Sequence, residues 1–244
     1  MFNEFILEYK DNLFEKLSKL VKYEDVCNGR KGAVLVNYKD NLIPIVRTTT
    51  VYKNPAQIML PIHYEIMDNI KKITNIDDLH FNNAMTEIYD CNYIKMGFHT
   101  DQSLDLADDS YICLFSCYNN PSTKDIRKLK IKNKTNNICS EVLLKHNSIV
   151  LFSLVTNHEH VHKIVLEENT ENNLWLGITF RLSKTFVKFT DNIPYLYPDN
   201  IILRLANDIE KKEFIKHKGI ENIKNNYIYP KIDYTIGISD LMNI

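Results

Sequence analysis

Tyr111-Ile-Cys-Leu-Phe-Ser-Cys-Tyr118 is one of eight short apolar or alternating runs that fill positions 80–189. The others are Phe81 to Tyr89, Tyr93 to Phe98, Ile126 to Ile131, Ile138 to Leu144, Ile149 to Leu154, Val161 to Leu166 and Leu174 to Leu182. Asn, Asp, Pro and Ser separate them, and short runs punctuated in this way predict an antiparallel barrel or jelly roll. Upstream, Phe2, Phe5, Ile6, Tyr9, Leu13, Phe14, Leu17 and Leu20 recur at helical spacing and predict an amphipathic helix. Ala33 to Val36 and Ile43 to Tyr52 read as strands joined by the turn-forming Tyr38-Lys-Asp-Asn41. Pro61 opens a second helix through Ile62, Ile66, Met67, Ile70 and Ile73. Downstream, Pro194 and Pro198 break the β pattern before a helical stretch, Leu203 to His217, and a Tyr-rich tail. The expected class is α+β: N-terminal helices and strands in 1–79, a β core in 80–189 and an extension in 190–244, all in one structural domain.

A chain of 244 residues builds one such core and falls short of two enzymatic domains. With 44% hydrophobic and 25% charged residues it has the balance of a soluble globular protein. The net charge of -1 gives no global attraction to polyphosphate, so nucleic acid would have to be met by a local basic patch. Five cysteines without a CxxC pair, mostly inside apolar runs, read as buried free thiols in a reducing compartment. No basic leader is seen and no apolar run approaches the ~20 residues of a membrane span. The expectation is an intracellular, soluble protein of cytoplasm or nucleus that meets no membrane.

Three features carry chemistry. In His99-Thr-Asp101 the two outer residues point to one face if the segment is extended, so an imidazole and a carboxylate can grip one ion. In Thr156-Asn-His-Glu-His-Val-His162 three histidines alternate just before an apolar strand. Two imidazoles and one carboxylate on one face of iron(II) leave the opposite face open, the arrangement of non-haem iron oxygenases. The competing reading is ordinary polar strand residues and a solvated histidine face. Third, Trp175-Leu-Gly-Ile-Thr-Phe-Arg181 places one guanidinium in an apolar strand, where it needs a carboxylate, from a ligand or from the chain itself.

In order and spacing these pieces resemble the AlkB-like branch of the 2-oxoglutarate/iron(II) dioxygenases, over roughly Pro44 to Arg181. The segment Pro44-Ile-Val-Arg-Thr-Thr-Thr-Val-Tyr52, the strand Phe81-Asn-Asn-Ala-Met-Thr-Glu-Ile-Tyr89, Met96-Gly-Phe-His-Thr-Asp101, the basic Arg127-Lys-Leu-Lys-Ile-Lys132, Lys145 to Phe152 with the Thr156 to His162 run, and Ile178-Thr-Phe-Arg181 each have a family counterpart. The resemblance implies a double-stranded β-helix (jelly roll, cupin-like) with flanking helices. It implies Fe(II) on His99, Asp101 and His162, with His160 as the alternative distal ligand. It also implies 2-oxoglutarate against Arg181 and Tyr89, aided by Ser183, and O2 as oxidant. Arg47 to Tyr52 would form a substrate lid. Two positions depart from the pattern: Trp175 stands where an arginine is usual and Glu87 where an asparagine is.

The implied reaction is oxidative demethylation or hydroxylation. For an alkylated nucleic-acid base, Lys124, Arg127, Lys128, Lys130, Lys132 and Lys134 form the basic strand and turn that would track phosphates; a lysine-protected sheet edge gives the same pattern. A protein side chain suits the neutral net charge better. A catalytically silent binding module accounts for Trp175 and Glu87.

Overall fold

Mostly antiparallel strands with few helices make up the protein, in a computed structural model that describes residues 1–168 and 170–244. The first third contains β1 (Asn3–Ile6), α1 (Leu13–Leu20), β2 (Glu24–Cys27), β3 (Arg30–Val36), β4 (Leu42–Pro44), β5 (Gln57–Ile58) and α2 (Pro61–Thr74). Then follow β6 (Asn83–Tyr89), β7 (Tyr111–Tyr118), β8 (Lys128–Asn133), β9 (Cys139–Leu143), β10 (Ser148–Ser153), the short α3 (Leu154–Glu159), β11 (His160–Val165) and β12 (Trp175–Arg181). The chain closes with β13 (Phe186–Thr190), β14 (Ile193–Tyr197), β15 (Ile201–Ile202), β16 (Arg204–Leu205), α4 (Asp208–Glu221) and β17 (Tyr234–Thr235).

The main sheet runs β1-β10-β7-β12-β6-β3-β2, with β5 alongside β3, and a smaller one runs β11-β8-β9. Both faces of the main sheet are covered, which is why β7 reads as an unbroken apolar run. Cys113, Phe115, Cys117, Ile149, Leu176 and Phe180 point to one face, under Leu13, Phe14 and Leu17 of α1 and Ile66 and Ile70 of α2. Ile112, Leu114, Val150, Phe152 and Trp175 point to the other, against Leu129, Ile131 and Ile164 of the small sheet. The candidate site lies between the two sheets. A third sheet, β15-β14-β13-β4, extends one end. No helix among the described residues is long and apolar enough to cross a membrane.

Several expectations are corrected. The apolar spacing from Phe2 to Leu20 reads as one helix, yet Asn3–Ile6 is a strand pairing antiparallel with β10, and the helix starts only after Asn12, whose side chain accepts from the Phe14 N–H at 3.0 Å. The unpaired edge of β10 offers that segment a hydrogen-bond ladder, which outweighs its helical spacing. Because β1 and β3 belong to the main sheet, the boundary near residue 79 does not divide the β structure. Of the Ile43 to Tyr52 run only Ile43 and Pro44 are strand, as the end of Leu42–Pro44, and Tyr93 to Phe98 makes one isolated bridge, at Lys95, rather than a strand. Cys113 and Cys117 are buried thiols as expected, whereas Cys27 and Cys139 are exposed.

The tail is tied down by a buried ion pair. Arg47 bonds both oxygens of Asp105, at 2.7 to 3.2 Å, and donates to the carbonyls of Ile232 and Tyr234. Beside it, Asp240 accepts from the Thr235 hydroxyl, and burial, reinforced by the Asp105 charge, pushes its carboxyl up to about 6. A folded-state value above the ordinary 3.8 means that the native protein holds this proton more tightly than the unfolded chain does. Its contribution therefore favours folding at low pH and is lost as pH rises through about 6. Asp240→Asn is expected to match the parent in stability near pH 4 and to exceed it by about 3 kcal/mol above pH 7, at ~1.4 kcal/mol per pKa unit. Urea melts of both proteins across that range check this.

Candidate metal centre

His99 and His162 face each other across an antiparallel bridge in which each backbone N–H donates to the other's carbonyl, at 3.0 and 2.8 Å. Such a pair carries its side chains on one face, and the two imidazole rings lie 4.7 Å apart. Asp101, two residues on, returns to the same face. One donor atom from each of the three lies within 4.8 Å of the others.

The remaining atoms of His99 and Asp101 are engaged in ways that leave one donor each, while Nδ1 of His162 is buried without a hydrogen-bond partner. The Nδ1 of His99 is 3.0 Å from the Gly97 carbonyl and donates to it, which frees Nε2. Arg181 donates to Oδ1 of Asp101 at 2.7 Å, leaving Oδ2, which sits 3.8 Å from His162 Nε2. Asn157 holds the Asp101 backbone from both sides: its Oδ1 accepts from the Asp101 N–H at 3.0 Å and its Nδ2 donates to the Asp101 carbonyl at 2.9 Å. Burial alone would raise the Asp101 carboxyl, but Arg181 and the two imidazoles hold it well below the usual carboxylate range. Burial pushes His162 down to about 3, and burial with the nearby Lys218 ammonium lowers His99. An ionised carboxylate and two neutral imidazoles are the protonation states that metal ligation needs.

Thr100, between His99 and Asp101, is fixed by the C-terminal extension. Its N–H donates to Oδ1 of Asn222 at 2.9 Å, and its carbonyl accepts from the buried Lys218 ammonium. Glu221, fully buried, accepts from the Ser103 N–H and hydroxyl and from the Tyr229 hydroxyl. Asn157, Lys218, Glu221 and Asn222 are absent from the sequence-derived site. Asn157 lies inside the histidine run, but the last three lie over a hundred residues from the loop they hold and carry no local signature.

The other expected residues are placed as follows. Only His160 and His162 of the histidine run are on a strand, since α3 takes up 154–159. His160 has both ring nitrogens engaged, with the Thr156 carbonyl and with Asn133, and His158 lines a different groove. Tyr89 is buried and donates to Glu87, which also pairs with Arg30. Ser183 donates to the Ile45 carbonyl at 2.6 Å and lines neither cavity at the centre. Arg47, Tyr52 and Arg127 are all buried, at odds with a substrate-contacting role. Arg127 donates to the Tyr93 and Asp90 carbonyls at 2.6 and 2.7 Å. Lys128 and Lys130 pair with Glu167, and Lys134 donates to the Glu221 carbonyl. Carboxylates thereby match only part of the strand's positive charge.

Two cavities meet at the triad. One of about 400 Å3 opens outward past Thr48, Phe98 and Lys218; one of about 40 Å3 lies inward, against Phe152, Leu129 and Trp175, and His99, Asp101 and Arg181 border both. A single first-row divalent cation fits the donor set, with His99, Asp101 and His162 as its protein ligands. 2-Oxoglutarate in the pose implied by the sequence does not fit: Arg181 is bound to Asp101, and the inner cavity, at roughly 10–15 Å3 per water, has room for about three waters.

No protein-family model and no curated protein matches the sequence. The fold is similar to the solved structure of OsALKBH1, with a TM-score of 0.51 and 13% identity over 72% of this chain and 93% of that one. The likeness is one of fold: the chain has an AlkB-like fold.

If Arg181 orients Asp101 for a metal, Arg181→Met should keep the fold and weaken Mn(II) or Fe(II) binding about 10- to 100-fold, the usual effect of losing a hydrogen-bond partner behind a ligand. Anaerobic calorimetry measures this, and unchanged affinity would show Arg181 to be structural only.

Proposed function

We propose that this chain is an iron(II)-dependent oxygenase on a double-stranded β-helix, with the ion held by His99, Asp101 and His162. The observation that carries the reading is the convergence of one free donor atom from each side chain, within 4.8 Å, at the inner end of an open cavity. Iron(II) so held supplies dioxygen activation for oxidising a C–H bond, which on an N-methyl group amounts to demethylation. The chain's own residues orient the ligands through Asn157, Arg181 and Asn222, and wall the inner side with Phe152, Leu129 and Ile164 so that water is limited there.

An alkylated nucleic-acid base is the favoured substrate. Phe98, exposed at the mouth, has the Lys163 and Lys132 ammonium groups 4.4 and 5.4 Å from its ring centroid. An aromatic face beside two cations is what a base and its phosphates require. A methylated protein side chain is the second substrate class, and a metal-binding module without turnover is a second reading, favoured by the small inner cavity. The parent should bind one equivalent of Fe(II) anaerobically and His99→Ala and His162→Ala should not. With iron, ascorbate and a 2-oxo acid, the parent should release formaldehyde from an N-methylated oligonucleotide, less so as salt rises. Release from methylated peptide alone would move the substrate to protein, and iron binding without oxidation of either would favour the module.

A further inference from the structure

The inner face of β12 carries Trp175, Gly177, Thr179 and Arg181 in succession towards the triad. The Trp175 indole lies along the strand over Gly177, so closely that a Cβ at Gly177 would overlap its six-membered ring. It packs on Tyr89 at 4.7 Å between centroids, is 1% exposed, and has no partner for its Nε1. The chamber beneath the triad is thereby reduced to about 40 Å3.

Charge tells the same story as space. Of the cations nearest the chamber, Arg181 is bound to Asp101, Arg30 to Glu87, and Arg127 to two backbone carbonyls. A second carboxylate reaching below the metal would meet an indole and a tyrosine ring, away from Arg181, whose Nη2 is held by Asp101 and whose Nε is left without a partner. Burying an unpaired carboxylate there is prohibitive.

We propose that Trp175 is a plug that sets the size of the small molecule admitted beside the metal. Resting on the iron-centre reading above, it restricts that ligand to a short monocarboxylic 2-oxo acid, whose carboxylate and oxo oxygens both stay at the metal, and refuses the five-carbon dicarboxylate. The ligand enters from the outer cavity and reaches no deeper than the triad. Trp175 is a specificity-determining residue rather than a metal ligand.

The test uses the full chain loaded anaerobically with Mn(II), titrated in a calorimeter with pyruvate and separately with 2-oxoglutarate. The parent is expected to bind pyruvate at least about tenfold more tightly, a difference of ~1.4 kcal/mol. Trp175→Ala, which opens the chamber to water and lets a second carboxylate stay hydrated, should abolish that preference. Since that variant leaves a large void, Trp175→Leu is run beside it and both are checked by circular dichroism; if neither folds, the order in the parent decides. A parent that binds 2-oxoglutarate as well as pyruvate overturns the proposal, and so does one that binds neither acid. Folded variants that keep the parent's preference overturn Trp175 as its cause. Failure of the parent to bind Mn(II) or Fe(II) at all is a separate result, which removes the iron-centre reading itself.

Discussion

The two reciprocal backbone hydrogen bonds between His99 and His162 set the geometry on which the centre depends. They join β11 to a segment that has no ladder of its own beyond the bridge between Lys95 and Val165. In β11 the side-chain period is two, so a slip of one residue would replace His162 by Val161 or Lys163. The small sheet prevents that slip. His162 pairs with Ile131 and Ile164 with Leu129, and Ile131, Leu129 and Ile164 are buried against the main sheet. Hydrophobic register thus fixes an imidazole's position, and the apolar core of the sandwich acts directly on the chemistry of the site.

Asp101 needs more support, because it lies beyond the bridge in irregular chain. That support comes from three distant places: Arg181 on β12, Asn157 on α3, and α4 acting through Thr100. The last contact is costly in isolation. Lys218 is 9% exposed, and burial lowers its ammonium below the ordinary lysine range. The Thr100 carbonyl and the nearby Glu221 and Asp101 charges offset that cost. A buried charge with a single partner removed destabilises strongly, so the extension and the ligand loop stand or fall together. The C-terminal segment is part of the site's scaffold rather than an appendage to the barrel.

The cluster of His99, Asp101 and His162 was legible because its members leave a local trace: residues two apart on extended chain, and histidines at the start of an apolar strand. Partners separated by long stretches of chain left no such trace. Arg181 was correctly read as needing a carboxylate, but sequence could not say whether that carboxylate belonged to a ligand or to Asp101, eighty residues earlier. Arg47 read as a substrate contact through the family resemblance, and Arg127 as one of a run of basic residues that could track phosphates. Their partners are Asp105, the Ile232 and Tyr234 carbonyls, and the Tyr93 and Asp90 carbonyls, all brought near only by the finished fold. The β segments from Phe81 to Leu182 were mostly visible for the opposite reason, since burial on both faces of β7, β10 and β12 makes each a continuous apolar run.

Trp175 and Gly177 show what a sequence withholds even where every residue is in plain view. Read singly, the tryptophan is a core aromatic and the glycine a weak point in a strand. In the structure the glycine's bare face is the bed on which the indole rests. Close packing makes the two a single unit, because a ring of that size fits beneath the triad only where the neighbour two residues on contributes no volume. The same strand then carries two opposite instructions for the centre. Arg181, at its upper end, draws Asp101 into position by charge, and Trp175, at its lower end, denies space to whatever would extend below. What could bind beside a metal there follows from the space left between those two side chains, which both line the inner cavity of about 40 Å3.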